Sequence, residues 1–320
     1  MAFDVSGLSA YIEEQNFPLI TKAVTGGRTA SLMEKQVGVK GATKINLMDV
    51  DVNFQDGSGC AFNADGDVTF TQREISPAKL KLNMEFCPKT LEGYYLRSQL
   101  PSGAHYESIP FEEQFGAYLV EKIQSELEVM IWQSDSTLVS TNLQFFDGLI
   151  DVIGAGSYID ANTASFGSGT PLATALTANN MIEAVQRVYE AAAAAIVDKA
   201  DAKIFVGYDA FRSLAVGLQS GLGIVTSGGG QLQNADSSFA DLTMVLPGTN
   251  IEIIAVNGLT GTNDVYCMRT SNMFLGVDLE EDASRIEAWY SKDDRKYKVA
   301  VDLTLGVQVA YPDQISAVIL

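Results

Sequence analysis

The feature that most constrains the fold is a run of large apolar residues spaced four apart between positions 111 and 131. The six residues are Phe111, Phe115, Leu119, Ile123, Leu127 and Ile131. This spacing places them on one face of an α-helix, and Pro110 and Glu112 are typical of its first turn. A helix from Pro110 to Ser134 would be about 37 Å long at 1.5 Å per residue. The rest of the chain must therefore supply an equally long apolar surface to support it.

Ahead of this helix the hydrophobic period changes to two, which is typical of β-strands. We predict strands at 44–54, Val68–Ile75 and Lys79–Phe86, with Gly- and Asx-rich turn residues between the first two. Together they would form a protruding β-hairpin system that has only a thin core. In the third strand, the apolar strip of Leu82, Met84 and Phe86 is expected to face a neighbouring molecule.

The two ends of the chain give different patterns. Residues 1–43 contain few and interrupted apolar positions, so we predict an arm that packs on another surface. The segment after the long helix is mixed, and the end is rich in β-structure. Its helices are predicted at Leu143–Ile153, 180–198 and Tyr208–Gln219, and its strands at Lys203–Gly207, Asn250–Val256, Asp264–Arg269, Met273–Asp278, Ser284–Tyr290, Tyr297–Val309 and Ile315–Leu320. A Gly-rich loop is predicted at 221–238, and the order of elements indicates the α+β class.

Negative charge is concentrated in the middle of the chain. The formal net charge is −19, and residues 101–268 carry 19 acids against 5 bases. This balance excludes a sequence-neutral nucleic-acid binder, because such proteins neutralise phosphates with Lys and Arg. We therefore predict that the acidic segment 101–268 forms a solvent-exposed outer face of the protein. No apolar run reaches the roughly 18 residues of a membrane span, and Met1–Ala10 shows no signal peptide, so we expect no membrane partner.

Residues with catalytic chemistry are few. His105 is the single histidine, and Ser220 has the wrong glycine spacing for the G-x-S-x-G turn of a hydrolase. The glycines of Ser227–Gln231 lack the lysine that follows in a phosphate-binding loop. A hydrolase with two carboxylates is not excluded by composition, although neither Trp132 nor Trp289 indicates an aromatic-lined cleft with paired acids.

Two acidic segments contain carboxylates that could bind a cation. Asn63, Asp65 and Asp67 alternate around a glycine, but no glutamate follows at the distance that a calcium loop requires, so a hairpin turn is preferred. The run of acids within 278–282 could hold a cation, and a solvated turn is again preferred.

The cysteines indicate reduced thiols. Cys60, Cys87 and Cys267 are an odd number, lie far apart and form no C-x-x-C pair. This pattern argues against a disulfide framework and against structural zinc. The sequence therefore predicts no catalytic, cofactor-binding or metal-binding residue.

The order of arm, hairpin, long helix, mixed segment and β-rich end resembles that of the HK97-like major capsid proteins of tailed bacteriophages. The segments similar to that family are Asn83–Pro88, Phe145–Ile150, Asn272–Asp278 and Gly306–Asp313. They are closest to capsid proteins of phages that infect Bacteroidetes. The resemblance covers nearly the whole chain in order, and no single motif in it is diagnostic.

The resemblance implies an HK97-like capsid fold with four parts. These are the N-arm at 1–43, the E-loop hairpin at 44–90, the P-domain with its long spine helix at 91–165 and 270–306, and the α/β A-domain at 166–269 and 307–320. Some relatives link an E-loop lysine covalently to an asparagine. Lys79, Lys81 and Lys89 lie in this region, but the sequence shows no partner for them. Because the chain starts almost at the arm, a separate scaffolding protein, or none, is expected.

The same resemblance implies a structural protein with no enzymatic activity and no cofactor. Copies would associate as pentamers and hexamers into an icosahedral shell around double-stranded DNA, which they would contact non-specifically. The virion would be assembled in the host cytoplasm, with portal, scaffolding and decoration proteins as further partners. Two alternatives stay open: an encapsulin-like nanocompartment shell, and a carboxylate-dependent hydrolase.

Overall fold

The computed structural model describes residues 19, 21–55, 58, 65–87, 111–139, 141–172, 175–225, 242–246, 248–278 and 285–320, with the backbone alone at 111–114, 219–225 and 285. Within these ranges the α-helices are α1 Arg28–Leu32, α2 Phe111–Gln133, α3 Leu149–Gly154, α4 Met181–Ala191, α5 Ala194–Val197 and α6 Tyr208–Val225, and residues 21–25 are helical as well. α2 confirms the long helix. The helix predicted at 180–198 is broken at Ala192, whose backbone is extended. α6 continues into residues 221–225, which were predicted to be loop.

The strands in the described ranges largely confirm the prediction from alternation. They are β1 Glu34–Val37, β2 Thr43–Val50, β3 Val68–Ile75, β4 Ala78–Phe86, β5 Ile159–Asp160, β6 Ala202–Gly207, β7 Thr243–Val245, β8 Glu252–Val256, β9 Val265–Arg269, β10 Met273–Val277, β11 Arg285–Ser291, β12 Lys296–Val309 and β13 Ser316–Val318. The sequence did not predict β1, β5 or β7, because strands of two to four residues are too short to show a period.

Five of the described strands form one sheet in the order β1-β10-β12-β11, with β4 also paired to β12. The 14 residues of β12 pair antiparallel with β11 at 296–302 and with β4 at 297–305, and the end of the strand, 305–309, pairs antiparallel with β10. β4 therefore belongs to this sheet, and the prediction that grouped it with the hairpin is wrong. β12 also passes without interruption through position 306, the predicted end of the P-domain.

Six further described strands form a second sheet in the order β5-β13-β9-β6-β8-β7. Its strand β9 separates two cores because successive side chains point to opposite faces. Tyr266 and Met268 are buried in the core that contains α2, whereas Val265 and Cys267 are buried in the core that contains α4. The two apolar cores thus share one sheet.

α2 supplies the longest apolar surface of the first core. Its buried apolar side chains are those of Leu119, Val120, Ile123, Leu127, Ile131 and Trp132. The Trp132 ring packs against Phe205 and Tyr266, with ring centroids 5.6 and 5.7 Å apart. A side chain at Gly258 would collide with Trp132, so the 3₁₀ turn at Asn257–Leu259 can approach the helix only with glycine there. Within the described ranges, no helix has both the length and the apolar character to cross a bilayer.

Residues 21–39, called the strap below, pack on the body of their own chain. Five apolar side chains of the strap are buried, namely those of Ala23, Val24, Ala30, Met33 and Val39. Strand β1 adds to the first sheet parallel to β10. The buried carboxylate of Glu128 on α2 accepts hydrogen bonds from the backbone N–H of Arg28 (2.9 Å) and from the N–H and hydroxyl of Thr29 (3.4 and 3.0 Å). The surface on which this part of the predicted arm packs is therefore the body of its own chain.

Candidate functional site

The hairpin formed by β2 and β3 is anchored only at its near end. Ile45, Leu47 and Ile75 are buried in a small cluster with Ala310. The side chain of Gln308 donates a hydrogen bond to the backbone carbonyl of Glu74 at 2.7 Å. These contacts fix the base of the hairpin against the end of β12.

The far end of the hairpin has no apolar core. Every described residue from Met48 to Gln72 is exposed. In the antiparallel register Met48 lies opposite Phe70, and Val50 lies opposite Val68, so all four side chains share one face. Phe70 is 74% exposed, and Phe54, just beyond β2, is 99% exposed. A continuous apolar face of this kind marks an interaction site, because isolated soluble proteins rarely leave one uncovered.

The apolar face lies in an acidic setting. Residues 45–72 contain five aspartates and no lysine or arginine. Among these, Asp67 accepts a hydrogen bond from the N–H of Val68, and Asp65 accepts one from the side chain of Asn53. These local contacts agree with the predicted turn chemistry around Asp65 and Asp67, while Asn63 lies outside the described residues. A surface that covers this hairpin must therefore offer apolar contact without adding negative charge.

The first sheet carries a shallow groove with an exposed indole, in which the one acidic lining residue, Glu85, is paired with a lysine. The cavity, of about 390 Å³, is lined by Asn83, Met84, Glu85, Trp289, Lys298 and Val299. Glu85, Lys298 and Trp289 stand side by side across β4, β12 and β11. The indole of Trp289 is 44% exposed. Lys296 pairs with Glu85, and this hydrogen bond raises the pKa of the Lys296 ammonium.

The apolar strip predicted on β4 is divided between the core and the surface. Leu80 is buried, and Met84 and Phe86 are partly buried against the core of their own chain. The Phe86 ring lies 5.2 Å from that of Phe115 on α2. Leu82 is exposed, at 37%, and Met84 also lines the groove. That the strip faces a neighbouring molecule stays a prediction.

The residues weighed for catalysis do not come together in the described part of the chain. His105, Cys60, Lys89 and Ser227–Gln231 lie outside it, and only the backbone of Ser220 is described. Trp132 is fully buried in the core. Lys79 and Lys81 are exposed on β4.

The thiol of Cys267 is buried inside the second sheet. Desolvation raises the pKa of this thiol to about 12, which keeps it protonated. A protonated, buried thiol is a packing group, in agreement with the prediction of reduced cysteines. Cys87 is half-buried next to the first sheet.

One acidic cluster was missed by sequence reasoning. Carboxylate oxygens of Asp135, Asp147 and Asp151 lie within 4.8 Å of one another. Burial and the neighbouring carboxylates raise the pKa of Asp151, whereas hydrogen bonds from Thr137 lower that of Asp135. Asp147 and Asp151 share a four-residue spacing, but only the fold brings Asp135 beside them. Of the acids within 278–282, Asp278 is buried and the others lie outside the described residues.

Comparison with known proteins identifies the fold. No protein-family model and no curated protein matches the chain. A chain in the solved structure of a satellite phage P4 procapsid that includes the size determination (Sid) protein matches with a TM-score of 0.62 at 9% identity, over 95% of this chain and 90% of the other.

Two capsid structures of GTA particles match in the same way. A chain of the capsid of the empty particle matches with a TM-score of 0.56 at 9% identity, over 93% of this chain and 90% of that one. A chain of the native particle's capsid gives 0.54 at 10% identity, with the same coverage. Together with the strand order and the long helix, these similarities show that the protein has the fold found in the capsids of phages and GTA particles.

Proposed function

We propose that this protein is the major capsid protein of a tailed bacteriophage and that its copies assemble as pentamers and hexamers into an icosahedral shell around double-stranded DNA. The observation that carries the proposal is the apolar face at the end of the hairpin, where every described residue from Met48 to Gln72 is exposed in the single molecule. In a shell, the next copy covers it. The shared fold supports a structural role, and we propose no enzymatic activity.

In this proposal the hairpin of β2 and β3 acts as the E-loop, α2 as the spine helix, and residues 1–43 as the N-arm. The five-stranded sheet with α2 corresponds to the P-domain, and the six-stranded sheet with α4 and α6 to the A-domain. Residues 78–86 go with the P-domain because β4 pairs with β12. The Bacteroidetes host group stays a prediction from the sequence resemblance.

The groove beside Trp289 is the surface that best fits the hairpin of a neighbouring copy. The strands around it and the turn that joins β11 to β12 carry a small excess of positive charge. Their seven bases are Lys79, Lys81, Arg285, Lys292, Arg295, Lys296 and Lys298, and their five acids are Glu85, Glu287, Asp293, Asp294 and Asp302. The hairpin end offers aspartates and exposed Val and Phe side chains. Opposite charges fix the register of such a contact, and buried aromatic residues supply most of its energy.

The acidic middle of the chain suits a container for DNA. Residues 101–268 carry a net charge of −14, from 19 acids and 5 bases. Like charge lets packaged DNA contact the shell without binding tightly. We therefore propose non-specific contact with the genome and a location in the virion.

Electron microscopy of the purified full-length protein tests the proposal directly. We expect closed shells, or their pentameric and hexameric pieces, in amounts that fall on dilution. A concentration-independent monomer would overturn the proposal. Closed shells that enclose an enzyme instead of DNA, when isolated from cells, would favour the nanocompartment alternative.

A further inference from the structure

Asp264 is a buried carboxylate at the start of β9. Only 5% of the residue is exposed. Its Oδ1 accepts a hydrogen bond from the backbone N–H of Leu320 at 3.3 Å, and its Oδ2 accepts one from the hydroxyl of Tyr266 at 3.4 Å. Both bonds are long for charge-assisted hydrogen bonds. None of the ion pairs between described residues includes Asp264.

The charged and titratable groups around Asp264 are themselves acidic or neutral. Tyr158 lies just ahead of β5, and burial, followed by the charges of Asp160 and Asp264, raises the pKa of its hydroxyl. On the side of α6, Asp209 accepts a hydrogen bond from the N–H of Gly261. Burial raises the pKa of Asp264 itself to about 6. Ionisation of Asp264 therefore leaves a negative charge in a buried site next to the hydroxyls of Tyr158 and Tyr266.

Asp264 also lies where the last strand is held in the sheet. Strand β13 pairs antiparallel with β9 and parallel with β5. The N–H groups of Ile159 and Ala161 donate to the carbonyls of Ile315 and Ala317, each at 2.8 Å. The hydrogen bond from the N–H of Leu320 to Asp264 lies just beyond the pairing of β13 with β5 and β9. The segment 315–320 thus has one carboxyl-dependent attachment beyond its strand pairing.

We propose that Asp264 is a proton-operated clasp, which holds the last strand tightly to β9 when its carboxyl is protonated and loosens that strand when it ionises. The protonated carboxyl can donate to the Tyr266 oxygen while its second oxygen still accepts from the N–H of Leu320. The ionised form keeps a desolvated charge that forms no ion pair with a cationic side chain among the described residues. Opening of segment 315–320 exposes the charge to water and relieves this cost.

Hydrogen exchange of the full-length protein tests the clasp. If opening returns Asp264 to its ordinary pKa, the segment opens about tenfold more often near pH 7.5 than near pH 5, after correction for intrinsic exchange rates. Asp264→Asn should remove this difference. The matched control is Asp313→Asn, an exposed acid just ahead of β13, which should keep it.

Two results would overturn the clasp: equal protection of 315–320 at both pH values in the wild type, or an unchanged tenfold difference in Asp264→Asn. If Asp264→Asn does not fold, the Tyr266→Phe variant tests the role of Asp264 instead. Loss of the hydroxyl that donates to the ionised carboxylate should move the midpoint of the transition to higher pH. A midpoint that stays in place would reject the role of Asp264.

Discussion

The strap and the hairpin are neighbours in the chain, and neither has enough apolar residues for a core of its own. The strap packs on the body of its own chain, where its five apolar side chains are buried. The Glu128 carboxylate on α2 accepts hydrogen bonds from Arg28 and Thr29 of the strap. The hairpin packs on the body at its base, and its described residues from Met48 to Gln72 are exposed. The comparison indicates that the strap stabilises one molecule, whereas the hairpin is left for the association between molecules that we propose.

The largest effect is expected when the exposed hairpin face is made polar. In the triple variant Met48→Ser, Val50→Ser and Phe70→Ser, three apolar side chains no longer bury against a neighbour. At about 1.5–3 kcal/mol for each fully buried side chain, assembly should weaken at least about a hundredfold. The free energy of unfolding of the subunit should change by less than about 0.5 kcal/mol, since these side chains are exposed in one molecule.

Light scattering over a dilution series measures the first quantity, and denaturant unfolding of unassembled subunits measures the second. The matched control is Thr69→Ser with Thr71→Ser, which changes the other face of the same strand. Equal losses of assembly and stability in the triple variant would mean that the hairpin is part of the subunit core after all.

The strap should respond in the opposite way. Glu128→Ala removes the acceptor of the hydrogen bonds from Arg28 and Thr29 inside a buried site. We expect the free energy of unfolding of the subunit to fall by about 2–3 kcal/mol, because buried donors lose a charged partner. Denaturant unfolding of unassembled subunits measures it, and Glu126→Ala, an exposed acid two residues away on α2, should change it little. A loss restricted to assembly would show that the strap docks on a neighbour.

The positions of strands and of the long helix could be predicted because period two and the four-residue spacing are local properties. Val68–Ile75 was predicted with the bounds that β3 has. The partners of those elements could not be predicted, because they are distant in the chain. Thr29 and Glu128 are 99 positions apart, and Lys296 and Glu85 are 211 apart. Nothing local in β4 distinguishes a strand of the hairpin from a strand beside β12.

The same limit applies to the candidate site. The sequence indicated a hairpin with a thin core, and alternation puts the pair Ile45 and Leu47 on the opposite face of β2 from Met48 and Val50. Alternation could not show which face is buried, because burial depends on what packs against it, and here the end of β12 covers Ile45 and Leu47. The Trp289 groove was missed for the same reason, since it forms across three strands from two parts of the chain.

A smaller effect is expected at the proposed receiving surface. Trp289→Ala should weaken assembly about tenfold, because an exposed aromatic residue that becomes buried at an interface is a frequent hot spot. Subunit stability should change little, since nearly half of the side chain is already exposed. The same dilution series measures the result. Tyr290→Ala is the matched control, because Tyr290 is the adjacent residue, is also 44% exposed and does not line the groove. An equal loss of assembly in Tyr290→Ala would show that the contact lies outside the groove.

The smallest effect concerns a segment that is held by polar contacts instead of an apolar core. The buried Arg187 on α4 donates to the carbonyl of Thr163 at 3.0 Å and to Glu183 at 2.8 Å, which fastens the segment 163–170 to the helix.

Hydrogen bonds from Ser168 and then from Arg187 lower the pKa of Glu183 to about 2. A lowered pKa stabilises the fold above the ordinary value of 4.5, and this stabilisation is lost as the pH falls towards 2. Glu183→Gln should therefore cost about 1 kcal/mol at neutral pH, with an allowance for partial solvent screening, and almost nothing near pH 2.

Denaturant unfolding of Glu183→Gln and wild type at both pH values measures this difference, with the exposed Asp198→Asn as control. A difference that is the same at both pH values would show that Glu183 acts through packing and not through its charge. Assembly should be unaffected in either case, because this segment, like the strap, is completed within one molecule.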